Sequence, residues 1–204
     1  ENRATPGAVR ASGLEGTEPE VALTAPTEEE AGLAKGPRSL DLPPWSKGRY
    51  GSAVGRAVHA VLQTVDLRTG AGLDQAVSAQ SVAEGVAGME DLVRSLASSA
   101  LDSDIVQRAA AREHWRETYV GTLQDEGTIL EGYVDLIYRE DDGSLVIVDY
   151  KTDAVPVEAI ASRVTYYQPQ MHAYRDCLTA ATGSPVSTTL LFLHPDASIA
   201  VPVP

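Results

Sequence analysis

The sequence contains a single cysteine and no long apolar run. Because Cys177 is the only cysteine among 204 residues, an internal disulfide, a cysteine-based zinc site and a four-cysteine iron–sulfur cluster are excluded. One cysteine fits a reducing compartment, so we expect a cytoplasmic protein. No apolar stretch reaches the roughly 18 residues of a membrane helix, and the first ten residues lack the pattern of a secretion signal. We therefore expect no membrane partner.

The sequence also has few basic residues. It carries 16 lysines and arginines against 29 acids, a net charge of -13. Residues 1–47 hold eight acids and five bases, a net of -3, which leaves -10 on the remainder. This balance disfavours a protein that grips nucleic acid through bulk positive potential. Either the ligand is not nucleic acid, or another protein delivers it and cations mask the carboxylates.

The chain divides into an arm and a domain. Residues 1–47 are rich in Gly, Ala, Pro, Thr and Glu without periodicity, which predicts a flexible linker or arm. Residues 48–204 form the predicted domain, and it begins with helices whose apolar residues recur at helical spacing. The predicted helices cover about 53–66, 74–87, 89–101 and 104–114, the last capped by Asp102 or Ser103.

From Trp115 onward the pattern becomes that of strands. Segments rich in Val, Ile, Tyr and Thr are separated by "QDEG" and "EDDG", which are typical of hairpin turns. We expect three antiparallel strands over about 115–123, 127–140 and 144–151, a helix over about 165–181 closed by Gly183, and a final strand over 187–195. This order predicts an α/β fold in which helices flank a mixed central sheet, with an N-terminal helical region.

Two aspartates lie on strands that are otherwise apolar. Asp149 and Lys151 share one face at the end of "LVIVDYK", and Asp135 lies within "YVDLIY", where alternation places it on one face with Tyr133 and Ile137. Carboxylates in such surroundings need a cation, a hydrogen-bond network or a proton. Two carboxylates suit Mg²⁺ or Mn²⁺, and a nearby lysine can orient water or stabilise a phosphoryl oxygen. The alternative is a solvated Asp–Lys pair at a strand end.

Several segments together resemble the RecB-type nuclease domain of the PD-(D/E)XK superfamily, the C-terminal module of RecB-, AddA- and AdnA-like helicase–nucleases. The resemblance covers about residues 50–195, and the family's elements occur in the family's order. Its motifs are "GRAVHAVL" with Gly55 and His59, "WRETYVG" with Glu117, "GYVDLIYR" with Asp135, "VDYKTD" with Asp149 and Lys151, and "QMHAY" with Gln170 and Tyr174. Val134 stands where the superfamily name has proline.

The resemblance implies a restriction-endonuclease-like core and a metal-dependent, exonuclease V-like deoxyribonuclease. Mg²⁺, or Mn²⁺ as a substitute, would be held by His59, Asp135, Asp149 and the main-chain carbonyl of Tyr150. Asp135, Asp149, Lys151 and Glu117 would be catalytic, with Gln170 and Tyr174 supporting the site or the substrate. The expected partners are DNA, single-stranded and delivered by a helicase, and the helicase motor domain or partner chain itself. The expected role is double-strand-break repair and recombination.

Other interpretations of these residues stay open. His59 is also a common kind of packed helix residue, and Glu117 suits a cross-strand pair with Arg116. Gln170 and Tyr174 fit an ordinary amphipathic helix boundary. Tyr166 and Tyr167, with Arg163, suit either DNA contact or a buried helix anchor. For the whole chain, the alternatives are a catalytically silent nuclease-fold scaffold or DNA-binding module, and an unrelated metal-dependent hydrolase.

Overall fold

The structure is a computed structural model that describes residues 8–11, 14–16, 52–123, 129–153 and 155–204. The helices are α1 (Ala53–Thr64), α2 (Leu73–Ala83), α3 (Glu90–Leu101), α4 (Asp104–Ala110) and α5 (Ile160–Thr182). The strands are β1 (Ala8–Arg10), β2 (His114–Leu123), β3 (Ile129–Arg139), β4 (Leu145–Lys151), β5 (Val186–Phe192) and β6 (Ile199–Val203). Among the described residues, no helix combines the length and apolar character needed to cross a bilayer.

A mixed sheet organises the fold. Its order is β1-β3-β4-β5-β6, and β2 also pairs with β3. Strands β2, β3 and β4 are successively antiparallel, as predicted, whereas β5 runs parallel to β4 because α5 crosses over between them. The predicted α/β fold with a mixed sheet flanked by helices is confirmed. Strands β1 and β6 were not predicted.

Each face of the sheet is covered by helices. Helices α1 to α4 share one buried cluster with side chains such as Leu136, Val148 and Tyr150. Helix α5 shares the other cluster with Ile147 and Leu190 from the opposite face. Because successive residues of β4 enter different clusters, the strand is buried on both sides. This explains why its sequence is an almost continuous apolar run.

Capping residues decide where several helices begin and end. Ser52 accepts a hydrogen bond from the N–H of Gly55 at 3.0 Å and starts α1. Ser103, one of the two predicted caps, starts α4. This helix ends at Ala110, so the predicted extension to residue 114 is wrong, and His114 instead begins β2. Gly183 ends α5 with a φ of 69°, as predicted for a left-handed C-terminal glycine.

One edge of β3 is shared by two strands with a gap between them. Strand β2 pairs with β3 from residue 129 to residue 138 and occupies the other edge. Strand β1 pairs with β3 residues 129–131 and β4 pairs with residues 136–139. Residues 132–135 of β3 have no strand partner on this edge among the described residues. We call this gap the notch.

Asp135 marks a change in the side-chain alternation of β3. Val134 and Ile137 both pack in the cluster of α5, although residues three apart normally lie on opposite faces of a strand. The expected common face of Tyr133, Asp135 and Ile137 is therefore wrong. On β2, Glu117 has a φ of 46°, and the β2–β3 ladder skips Glu117 and Asp135. Both strands are thus irregular at the same level.

Part of the predicted N-terminal arm contacts the domain. Strand β1 pairs with β3 in parallel, and the N–H of Gly16 donates to the carbonyl of Tyr166 on α5 at 2.7 Å. The "QDEG" turn and most of residues 1–47 lie outside the described residues. The division into an arm at 1–47 and a nuclease domain at 48–204 stays a prediction, but residues 8–11 and 14–16 belong to the described fold.

Candidate active site

His59 and Asp135 form an ion pair beside the notch. The Nδ1 atom of His59 lies 3.0 Å from Oδ1 of Asp135, and 30% of the His59 side chain is exposed. Helix α1 can bring His59 to the sheet because Gly55 has no side chain. A Cβ atom at Gly55 would lie 2.7 Å from Oγ1 of Thr152, which follows β4. The "GRAVHAVL" motif thus combines a close approach with a site residue.

The second oxygen of Asp135 connects the site to β4. The backbone N–H of Tyr150 donates to Oδ2 of Asp135 at 2.7 Å. The β3–β4 ladder ends one step earlier, at Leu136 and Val148, so the carboxylate satisfies an N–H that the ladder leaves without a strand partner. Continuation of this register would have set Asp135 opposite Asp149, as the sequence suggested. The structure replaces that pair with a side chain-to-backbone bond.

Glu117 completes a group of possible metal ligands. One ligand atom each from His59, Glu117 and Asp135 lies within 4.8 Å of the others. Glu117 adopts its left-handed φ of 46°, a conformation that non-glycine residues rarely adopt and that concentrates at functional sites. One imidazole and two carboxylates can bind a divalent cation such as Mn²⁺ or Mg²⁺. The donor set of the described residues therefore fits a metal ion.

Lys151 is held in place by a chain of buried contacts. Its Nζ atom lies 2.7 Å from Oδ2 of Asp149 and 3.0 Å from Oε1 of Gln170. The amide of Gln170 donates to the hydroxyl of Tyr174 at 3.2 Å, and both residues line the same cavity as Lys151. The centroid of the Tyr167 ring lies 3.9 Å from the same Nζ atom, which is close enough for a cation–π contact.

The pKa values of the first pair favour the ionised forms. Burial lowers the pKa of His59, but the charge and hydrogen bond of Asp135 outweigh it and raise the pKa to about 9. Burial raises the pKa of Asp135, and the His59 charge and hydrogen bond then bring it below its ordinary value. The pair is consequently an imidazolium and a carboxylate at neutral pH.

The second pair is more deeply buried. Burial raises the pKa of Asp149, although Lys151 opposes the shift, and the nearby Asp135 adds to it. For Lys151, burial lowers the pKa but the Asp149 charge outweighs it and raises the pKa. Asp149 is 4% exposed, so its carboxylate and the ammonium depend on each other for compensation. Asp135 and Asp149 therefore place two negative charges close together in the same cavity.

The residues of both pairs line one cavity of about 220 Å³. All predicted site residues except Tyr150 contribute to its wall, and Tyr150 contributes its backbone N–H to Asp135. Sequence reasoning missed Arg10 and Glu15, which lie on the N-terminal segment, and Arg56, Tyr119 and Tyr133. Among these residues, only Arg56 could have been found from the sequence. It lies on α1, one helical turn before Ala60, which also lines the cavity.

A protein-family model matches most of the chain. The family model of the PD-(D/E)XK nuclease superfamily matches residues 36–200. The chain belongs to the PD-(D/E)XK nuclease superfamily. The sequence Asp149–Tyr150–Lys151 lies within the matched range and has the order D-X-K of the name. Asp135 lies on the preceding strand and follows Val134 rather than proline, so the assignment of the motif to these residues stays a prediction.

Curated relatives of this superfamily member are large helicase–nuclease proteins. An ATP-dependent helicase/nuclease subunit from Clostridium botulinum (strain 657 / Type Ba4) is 37% identical over 84 residues, which cover 41% of this chain and 6% of the relative. An ATP-dependent helicase/nuclease subunit from Clostridioides difficile (strain 630) is 38% identical over 69 residues, 34% of this chain and 5% of that relative. The matched segments are thus a small part of both relatives.

A solved structure titled "Crystal structure of SSO0001" has a TM-score of 0.36 and 12% identity, and the match covers 74% of this chain and 75% of that chain. A similarity of this degree supports no conclusion about function.

Proposed function

We propose that this chain is a metal-dependent deoxyribonuclease that hydrolyses phosphodiester bonds with Mg²⁺, or with Mn²⁺ as a substitute. The observation that carries the proposal is the meeting of the His59, Glu117 and Asp135 ligand atoms with the Asp149–Lys151 pair in one cavity. A cation beside a fixed ammonium is an arrangement suited to phosphoryl chemistry.

The metal would be held by the acidic side of the cavity. His59, Glu117 and Asp135 are the ligands that the described geometry groups, and the sequence adds Asp149 and the carbonyl of Tyr150. When bound, the cation would lower the pKa of a water molecule and polarise a phosphoryl oxygen. Its positive charge would also compensate the crowded carboxylates. Loss of the His59 proton would free the imidazole for ligation.

The protein's own contribution is the positioning of Lys151. Asp149 and Gln170 fix its ammonium group at 2.7 and 3.0 Å, so its charge needs little rearrangement when a phosphate enters. From this position Lys151 stabilises negative charge on the scissile phosphoryl group or orients the attacking water. Tyr174 holds Gln170 in turn and is 2% exposed.

The biological setting is part of the proposal. The relatives are named as ATP-dependent helicase/nuclease subunits, which supports a helicase motor as partner. The exonuclease V-like role in double-strand-break repair and recombination is the role that the resemblance to the RecB-type domain implies. A motor that feeds single-stranded DNA into the cavity would explain a net charge of -13 on a DNA enzyme. The single cysteine supports a cytoplasmic location.

Cleavage of labelled single-stranded DNA tests the proposal directly. We expect Mg²⁺- or Mn²⁺-dependent cleavage that falls by about 100-fold or more in Asp149→Asn and in Lys151→Met. Asp141→Ala is a matched control, because this acid is 89% exposed on a hairpin turn. Circular dichroism verifies that each variant is folded. Undiminished cleavage in both site variants contradicts the assignment.

The second candidate is a nuclease-fold scaffold or DNA-binding module without turnover. The acidity of the chain is the observation that favours it. Calorimetric titration with Mn²⁺ separates the candidates, because only an enzyme requires a Mn²⁺ site that disappears in Asp135→Ala. A folded chain that binds no Mn²⁺ and cleaves no DNA would favour the scaffold.

A further inference from the structure

Two tyrosines at the mouth of the cavity are unusually exposed. Tyr119 on β2 and Tyr133 on β3 are 52% and 55% exposed, and both contribute to the cavity wall. Their rings form an edge-to-face pair with centroids 5.5 Å apart. By contrast, Tyr166 and Tyr167, the tyrosines for which the sequence allowed a DNA contact, are 7% and 3% exposed. The exposed pair is therefore an aromatic surface at the cavity that a ligand can reach.

The register of the sheet explains why these rings share one face. Tyr119 lies directly opposite Tyr133, and Gly121 lies opposite Glu131. On the other side of β3, Arg10 lies opposite Glu131. Residues opposite each other in a sheet point to the same face, so one surface carries both rings, a carboxylate and a guanidinium. We call this surface the tyrosine platform, made by Tyr119, Tyr133, Gly121, Glu131 and Arg10.

Two contacts fix the Tyr119 ring on the platform. Its hydroxyl donates to Oε2 of Glu131 at 2.8 Å. Gly121 leaves space for it, because a Cβ atom there would lie 3.1 Å from the Tyr119 hydroxyl. The ring therefore lies along the sheet, over the glycine, and is held in place before any ligand arrives. An aromatic group fixed in advance loses little conformational freedom on binding.

The platform adjoins the candidate active site on both strands. Tyr133 precedes Asp135 by two residues, and Tyr119 follows Glu117 by two residues. Two residues of a strand span about 7 Å, which is within the size of one nucleotide. A phosphate at the carboxylates would therefore bring the base of an adjoining nucleotide over the tyrosine rings.

We propose that the tyrosine platform is a binding site for unpaired nucleobases, which stack on Tyr133 and Tyr119. This inference rests on the proposed function and assigns the residues that would bind the bases of its single-stranded substrate. Aromatic rings bind single strands with little sequence preference because every base has a π-face. Bases of a duplex are paired and stacked inside the helix, so the platform selects single-stranded over double-stranded DNA. Arg10 adds a guanidinium for the backbone of the same strand.

Binding measurements in EDTA test the platform without DNA cleavage. The 204-residue chain is titrated against fluorescent oligothymidine and against an abasic strand of equal length, and anisotropy reports the affinities. Tyr133→Phe keeps the ring, whereas Tyr133→Thr removes it and retains a residue suited to strands. The same pair of substitutions is made at Tyr119. Thermal melting identifies any variant that is not folded. If a variant at one tyrosine is unfolded, the comparison of Phe and Thr at the other tyrosine tests the inference.

We expect the Thr variants to bind oligothymidine about 5- to 150-fold more weakly, as loss of base stacking predicts. In the Thr variants, the ratio of the affinity for oligothymidine to that for the abasic strand should also fall. In the Phe variants this ratio should be unchanged. Equal affinity of the Thr and unmodified chains for oligothymidine overturns the inference. So does an equal loss for both strands, or an unmodified chain that does not prefer the strand with bases.

The outcome is separable from that of the proposed function. If the chain prefers oligothymidine over the abasic strand but fails to cleave DNA with Mn²⁺, the platform stands and the catalytic proposal is refuted. If the chain cleaves DNA but binds oligothymidine and the abasic strand with equal affinity, the catalytic proposal stands and the platform is refuted.

Discussion

Gly132 lies in the notch at a position where a side chain would clash with its neighbours. A Cβ atom at Gly132 would lie 2.6 Å from Cε1 of Tyr174 and 3.2 Å from Cβ of Ala11. Tyr174 is 2% exposed and accepts the hydrogen bond of Gln170, which in turn contacts Lys151. Gly132→Ala must therefore move a buried ring that is connected to the candidate catalytic lysine.

The expected cost follows from two opposing effects. Overpacking of a well-filled core costs about 1–3 kcal/mol. Replacement of glycine by alanine restricts the unfolded chain and returns about 0.4–1 kcal/mol. We expect Gly132→Ala to lower the free energy of unfolding by about 1–2 kcal/mol, as the balance of the two. DNA cleavage should fall as well, because displacement of Tyr174 loosens Gln170.

Urea unfolding measures this change, and a double-mutant cycle locates its origin. In a Tyr174→Leu background the clashing ring is absent, so Gly132→Ala should cost little there, with a coupling of about 1 kcal/mol or more. Gly121→Ala is the matched control on the neighbouring strand. Its Cβ atom would come closest to the hydroxyl end of the exposed Tyr119, at 3.1 Å, and would lie at an ordinary contact distance of 3.5 Å from the carbonyl oxygen of Leu130, so we expect a change within about 0.5 kcal/mol. An undiminished cost in the Tyr174→Leu background would refute the steric explanation.

Two further predictions concern the contacts of the site. Tyr167→Leu removes the ring beside Lys151 and should lower kcat about 2- to 30-fold with little change in KM. Tyr167→Phe keeps the ring, so its kcat should fall less. Steady-state cleavage assays distinguish the two variants. The His59–Asp135 pair stabilises the metal-free chain fully below the unfolded pKa of 6.5, and this stability is lost as pH rises through the folded pKa of about 9. Because 30% of the His59 side chain is exposed, we expect a loss of about 1–2 kcal/mol in urea titrations in EDTA between about pH 6 and about pH 10. A His59→Gln chain with the same pH dependence would contradict this reasoning.

The parts of the fold set by local patterns could be predicted from the sequence. Strand β4 was recognisable because its apolar run ends at Asp149 and Lys151, and α1 because its apolar residues recur at helical spacing. Asp135, Asp149 and Lys151 were recognisable because they are charged residues on otherwise apolar strands. His59, Glu117, Gln170 and Tyr174 were assigned only through the resemblance to the RecB-type nuclease domain, because local composition fits ordinary structural roles for them equally well.

The notch was not predictable because it requires a distant segment. Strand β1 has only three residues and lies in a region whose composition predicts a linker, yet it pairs with β3 and closes one side of the gap. Propensity over three residues cannot outweigh the surrounding Gly, Pro and Glu. The contribution of Arg10 and Glu15 to the cavity wall follows from this pairing, and it was missed with it.

The alternation change at Asp135 shows why strict strand periodicity fails at this site. A regular β3 would keep Val134 and Leu136 on one face, and its ladder with β4 would continue past Leu136. The structure instead uses the Asp135 side chain for the N–H of Tyr150 and accepts an unfavourable φ at Glu117. Such a backbone conformation costs about 1–3 kcal/mol, which sheet stability alone does not explain. We propose that the ligand group of Glu117 and Asp135 with His59 accounts for this cost, because a regular β2–β3 ladder would have paired Glu117 directly with Asp135.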